Sequence, residues 1–113
     1  MADYQPTVCV DLDGVLNAYQ GYRGSDHYPP PSPGAREFLH RLREMGYRVV
    51  VLTVRWKPHV EAWLARHGLA GYVDEVTDRK PPAHVYVDDR AVCFRGDFEA
   101  ALEEIARFKA HWE

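Results

Sequence analysis

The stretch Val8-Cys9-Val10-Asp11-Leu12-Asp13-Gly14-Val15-Leu16 begins as an apolar run and ends in two carboxylates one residue apart, followed by a glycine. A continuous apolar run of this length fits a strand buried on both faces, in the middle of a parallel sheet rather than at its edge. The expected strand covers Thr7–Asp11 and leaves Asp11 at its carboxyl end. It would hold the acids still, Asp11 and Asp13 are close enough to share one cation, and Gly14 lets the chain turn away from whatever binds there. This combination points to phosphoryl chemistry.

Outward from that strand, residues 17–33 are rich in Tyr, Gly and Pro, with Tyr19, Tyr22, Tyr28 and the run Pro29-Pro30-Pro31-Ser32-Pro33, and read as a loop of limited freedom. Ser32 is the expected N-cap of a helix with Pro33 at its first position. Phe38, Leu39, Leu42 and Met45 then recur at helical spacing, and Gly46 sits where the helix should end. Residues 48–53 read as a second strand. Residues 58–67 follow as a helix buried through Val60, Trp63 and Leu64, closed by Gly68. Further strands are expected over 72–77, 84–87 and 91–94, the fourth of the five ending in Asp88-Asp89. Asp97 is the expected cap of a last helix carrying Phe98, Leu102, Ile105 and Phe108.

Strands alternating with helical segments imply an α/β protein with a mostly parallel sheet covered on both faces, in three layers, α/β/α, with five strands. Ligands of such sheets gather at the carboxyl ends of the strands. Asp11, Thr53 and Asp88 each close an expected strand and so share one edge.

With 113 residues, 46% of them apolar, and three Trp, the chain fits a single domain over residues 1–113 with no room for a second. The formal charge of −3 arises without a basic block, which argues against an extended nucleic-acid surface but not against a nucleotide. Cys9 and Cys93 both lie in short apolar runs and are expected to be reduced, buried thiols. Residues 1–6 lack a charged and apolar leader pattern, and no window approaches a membrane span, so the expected location is the cytoplasm.

In chain order the polar groups are Asp11 and Asp13, Thr53, Lys80, and Asp88 with Asp89. The four segments Asp11-Leu12-Asp13-Gly14-Val15-Leu16, Val51-Leu52-Thr53, Lys80-Pro81 and Tyr86-Val87-Asp88-Asp89 together resemble the motifs of the haloacid dehalogenase-like phosphatase superfamily. The resemblance covers most of the chain and implies a Rossmann-type fold without a substantial cap domain, residues 17–33 serving as a flap or minimal cap loop.

Four carboxylates at one sheet edge repel each other unless a cation neutralises them, and an all-oxygen site that also accepts phosphate suits Mg²⁺. By the resemblance, Asp11 is the nucleophile and a metal ligand. Asp13 is the general acid and base, its backbone carbonyl also on the metal. Thr53 binds the phosphoryl group, Lys80 holds nucleophile and phosphoryl oxygens as a point charge, and Asp88 binds Mg²⁺. Asp89 is implied at the metal as well, members of the family differing over whether this acid binds the ion, orients its waters or pairs with the lysine. An acid at position 13 allows protonation of an alkoxide leaving group, which favours a phosphatase over a dehalogenase.

Arg55, two residues past Thr53, is placed to touch a substrate, to cap the strand end or to pair with an acid. Tyr19, Tyr22, Arg23, His27 and Tyr28 either line the entrance or pack the loop, and Trp112 is assigned to the terminal helix. None of the six His shows zinc-ligand spacing. The expected activity is Mg²⁺-dependent hydrolysis of a phosphomonoester through an aspartyl-phosphate. The substrate is expected to be a small metabolite or nucleotide, and an open site could borrow its lid from a second subunit in a homodimer. The alternatives are a phospho-accepting receiver domain, whose acidic pair and phosphorylated aspartate would both precede the threonine and lysine, and a non-catalytic interaction protein that keeps the fold.

Overall fold

The computed structural model describes residues 5–113; Met1 to Tyr4, part of the segment read for a leader, lie outside the described residues. The order of elements is β1 (Thr7–Asp11), α1 (Ala35–Glu44), β2 (Arg48–Leu52), α2 (Lys57–Arg66), a 3₁₀ turn (Ala70–Tyr72), β3 (Glu75–Thr77), β4 (Val85–Val87) and α3 (Phe98–Arg107). The sheet has four strands in the order β3-β2-β1-β4, all parallel. As the apolar run implied, β1 is central, paired with β2 through Val10↔Val51 and with β4 through Val10↔Val87.

One sheet face carries Val8, Val10, Val49, Val51 and Val76, and these close on Leu39 and Leu42 of α1 and on Val60, Trp63 and Leu64 of α2 to form the core. Both helices therefore lie on one side of the sheet. The opposite face carries the buried Cys9 and Val50, the exposed Arg48–Glu75 ion pair and Tyr86. Over it runs the β3–β4 connection: the Tyr86 hydroxyl donates to the Pro81 carbonyl at 2.5 Å, and the Lys80 ammonium sits 4.5 Å above the Tyr86 ring. The expected second helical layer is not there, because α3 buries none of its residues and leaves Phe98, Leu102 and Ile105 largely exposed. The sheet is thus layered with helices on one side only.

Three further expectations are corrected. Residues 91–94 form no fifth strand: immediately after β4 the Arg90 N–H turns back onto Asp88 Oδ1 at 2.8 Å, which bends the chain away from the strand direction, and Cys93 is consequently exposed. Helix α1 is not capped by Ser32. Ser32-Pro33-Gly34-Ala35 forms a turn closed by Ala35 N–H donating to Ser32 O at 3.0 Å, with Gly34 at φ 85° as the N-cap. Proline followed by a glycine at positive φ is the pair that a type II turn selects, so turn chemistry overrides the serine cap. Strand β3 is three residues long rather than six, because residues 70–72 close into the 3₁₀ turn. Asp97, by contrast, caps α3 as expected, accepting from the N–H groups of Glu99 and Ala100. Among the described residues no helix is long and apolar enough to cross a membrane.

Candidate active site

Parallel register decides which polar groups meet. Asp11 is the last residue of β1 and pairs with Leu52, so Thr53 follows one step beyond it; Val87 pairs with Val10, so Asp88 emerges level with Asp11 on the other side. The carboxylates of Asp11, Asp88 and Asp89 each offer an oxygen within 4.8 Å of the others. Such crowding is unfavourable for three negative charges. Burial first, then the charges of Asp88 and Asp89, push the Asp11 carboxyl up to about 8, against an opposing contribution from the Leu12 N–H. Burial and the neighbouring Asp11 also raise the Cys9 thiol, so it stays protonated beneath the site.

A divalent cation fits this arrangement on two grounds. Oδ1 of Asp89 is buried with no hydrogen-bond partner, and all donors in the cluster are hard oxygens, the set preferred by Mg²⁺. Asp11, Asp88 and Asp89 are the residues that would hold it.

Asp13 faces a different set of partners. Its carboxylate accepts from Arg55 Nε at 2.9 and 3.1 Å and from Asn17 Nδ2 at 2.9 Å. Arg55 also donates through Nη1 to Ser25 O at 3.2 Å and stacks its guanidinium 4.3 Å from the Tyr28 ring centre, tying residues 17–33 to the first motif. Burial alone would lower Arg55, but the hydrogen bond and charge of Asp13, with a smaller contribution from Tyr28, hold it above its ordinary value. Thr53 is buried, and its Oγ1 accepts from the Arg55 N–H at 3.1 Å, leaving the hydroxyl proton free to donate. Lys80 is exposed beside Tyr86, and none of the ion pairs among the described residues includes it.

Three residues belong to the site without having been singled out for it. Asn17 is fully buried; its Oδ1 accepts from the Gly14 N–H at 3.1 Å while its Nδ2 binds Asp13, so one side chain shapes the whole turn after β1. An asparagine three residues after a turn glycine was the available signal. Trp112, expected in the last helix, lies beyond its end, and its Nε1–H donates to Asp89 Oδ2 at 2.5 Å. His111 Nε2 donates to Gly14 O at 2.7 Å. No local pattern announces these last two contacts, which span 23 and 97 residues.

A cleft of about 370 Å³ opens at this edge, lined by Asp11, Asp13 and Asp89 and, from the loop, by Tyr19, Tyr22 and Ser25. Residues 17–33 thus supply part of its wall.

Two solved structures share the fold. A conserved protein from Bacteroides thetaiotaomicron aligns with a TM-score of 0.61 at 21% identity, over 95% of this chain and 94% of its own. An uncharacterized protein from Listeria monocytogenes serotype 4b aligns with a TM-score of 0.55, also at 21% identity, over 63% of this chain. The alignment spans 45% of the Listeria protein's length. The comparison with curated proteins returned no match. The family model described as haloacid dehalogenase-like hydrolase matches residues 9–111. Since that match runs from the central strand to the segment beyond α3 and takes in every acid of the cluster, the chain belongs to the haloacid dehalogenase-like hydrolase family.

Proposed function

We propose that this hydrolase cleaves phosphomonoesters with Mg²⁺ through a phosphorylated Asp11. The observation that carries the reading is the convergence of Asp11, Asp88 and Asp89, whose oxygens lie within 4.8 Å of one another at the sheet edge. Bound there, Mg²⁺ would neutralise the acids and screen the phosphoryl oxygens, so that a carboxylate can approach phosphorus.

The chain's own residues would do the rest. An oxygen of Asp11 bonds to phosphorus as the bond to the ester oxygen breaks, and Asp13 gives that oxygen its proton. In the second step Asp13 takes a proton from water as the water oxygen bonds to phosphorus, which releases phosphate and restores the Asp11 carboxylate. Thr53 donates its free hydroxyl proton to a phosphoryl oxygen. Lys80 supplies positive charge once it leaves Tyr86 for the cleft.

Arg55 has a double task in this scheme. It engages both oxygens of Asp13, so Asp13 meets the leaving oxygen only after Arg55 shifts, and a substrate phosphate is the anion that draws it away. Binding of the phosphoryl group would in this way release the acid at the moment it is needed. The aromatic and apolar lining of the cleft, with Tyr19, Tyr22 and Val54, suits a small phosphorylated metabolite or a nucleotide with a flat body.

The test is phosphate release from a panel of aryl, sugar and nucleoside monophosphates with and without Mg²⁺, using the wild type and Asp11→Asn. Metal-dependent release that falls by a factor on the order of 10⁴ in the variant is the expected result. Release that survives in Asp11→Asn, or that ignores Mg²⁺, would overturn the mechanism.

A further inference from the structure

We propose that Trp112 is a positioning residue for Asp89: its indole N–H holds one carboxylate oxygen so that the other is presented to the cation. The inference rests on the metal-site reading above and assigns the segment after α3 a part in it.

An indole nitrogen can only donate and an ionised carboxylate can only accept, so the 2.5 Å contact between Trp112 Nε1 and Asp89 Oδ2 has one possible sense. It leaves Oδ1 buried and without a partner, on a carboxylate that has an oxygen within 4.8 Å of those of Asp11 and Asp88. Repulsion from the neighbouring Asp88 carboxylate would swing an untethered Asp89 outward. The tether opposes that motion and points the spare oxygen inward.

The contact is built into the fold. Gly14, at φ 86°, lies directly beneath it: a Cβ there would come within 2.1 Å of Asp89 Oδ2 and 3.0 Å of Trp112 Nε1. The indole is fixed in turn by several contacts. Its neighbour His111 donates to Gly14 O at 2.7 Å. Ala110 is buried and exchanges hydrogen bonds with Glu113, its N–H to Glu113 Oε1 and its carbonyl from the Glu113 N–H. The Tyr19 ring stands perpendicular to the indole with centroids 5.1 Å apart, and the Arg90 guanidinium lies 5.5 Å over the indole. Tyr19 also lines the cleft, so the indole lies between the metal acid and the loop that faces the substrate.

The experiment is Mg²⁺ titration by calorimetry of the wild type and Trp112→Phe, which keeps the ring but removes the donor, alongside the Mg²⁺ dependence of turnover. Loss of an outer partner of a metal ligand is expected to weaken Mg²⁺ binding by about 10–100-fold. The Mg²⁺ activation constant should rise by the same factor while kcat at saturating Mg²⁺ changes far less; a merely structural role would lower kcat without that split. Equal Mg²⁺ affinity in both proteins would overturn the role of Trp112 and leave the metal site standing. A wild type that binds no Mg²⁺ would overturn the metal-site reading and this inference with it. Should the Phe variant fail to fold, the indole N–H resonance of Trp112 in the wild type decides: it is expected to move when Mg²⁺ binds, and a resonance unmoved by bound Mg²⁺ would overturn the tether.

Discussion

The acids of the site come from two strand ends of very different construction. At the end of β1 the chain organises itself. The Leu12 carbonyl accepts from the N–H groups of Val15, Leu16 and Asn17, Asn17 closes the turn from inside, and Leu12 and Leu16 are fully buried. At the end of β4 the strand is a three-residue edge with Val85 and Tyr86 each 42% exposed, and the acids that follow rely on an Asx turn at Asp88 and on Trp112 from far along the chain. Asp11 therefore sits on a local, pre-formed scaffold, whereas the placement of Asp89 is completed by a tertiary contact. Electrostatics gives a reason for the division: Asp88 and Asp89 are adjacent acids crowded at one strand end, so the second must be held in place from outside its own strand.

The two ends touch at Gly14, and Gly14→Ala is the substitution expected to disturb them most. A methyl group there meets the Asp89 carboxylate and must be carried at φ 86°, a cost of about 1–3 kcal/mol. Chemical denaturation should show that loss of stability, and calorimetry a weakened affinity for Mg²⁺. Unchanged stability and affinity would mean that the two ends are less tightly joined than their geometry implies.

The pH dependence of stability sharpens the contrast further. An aspartate has an ordinary value of about 4, and Asp11 is pushed up to about 8 in the folded protein without metal. Between these two values the folded state binds the extra proton, so this group makes stability fall as pH rises through the interval. The expected result is a lower thermal midpoint at pH 8 than at pH 5 without Mg²⁺. Added Mg²⁺ should raise the midpoint more at pH 8, where it replaces the proton among the acids. Asp11→Asn should flatten both responses, and a thermal-shift series across pH checks all three.

The smallest effect is expected beyond β4, on α3. Leu102→Ala removes a side chain that is 58% exposed and should change stability by less than about 0.5 kcal/mol. Leu64→Ala, in the hydrophobic core, should cost about 2–5 kcal/mol. Comparable losses from both would show that α3 is packed in solution and that the two regions are alike.

Most of the first region was legible from residue order. The apolar run into Asp11 placed a central strand, and the helices bury Leu39, Leu42, Val60, Trp63 and Leu64 as their spacing implied, while Phe38 and Met45 of the first series stay exposed. The meeting of Asp11 with Asp88 follows from parallel neighbours in the register Val10↔Val87, each followed at once by its acid. The second region was harder to read. The run 91–94 looks like a strand by composition, yet strand formation needs a paired neighbour, and the turn at Asp88 carries the chain elsewhere. The apolar spacing of Phe98, Leu102 and Ile105 correctly marked a helix, but amphipathicity carries no instruction about which surface covers the apolar stripe.

Sequence by itself determined what depends on neighbours along the chain: the buried strand, the turn at Gly14, the cap at Asp97 and the order of acids, threonine and lysine that marks the family. Tertiary structure alone decided that Arg55 engages Asp13, that Lys80 rests on Tyr86 and that Trp112 reaches Asp89. These are contacts between side chains on separate segments. Their formation depends on register, burial and the competition among charges once the chain has closed on itself, and no local spacing encodes them.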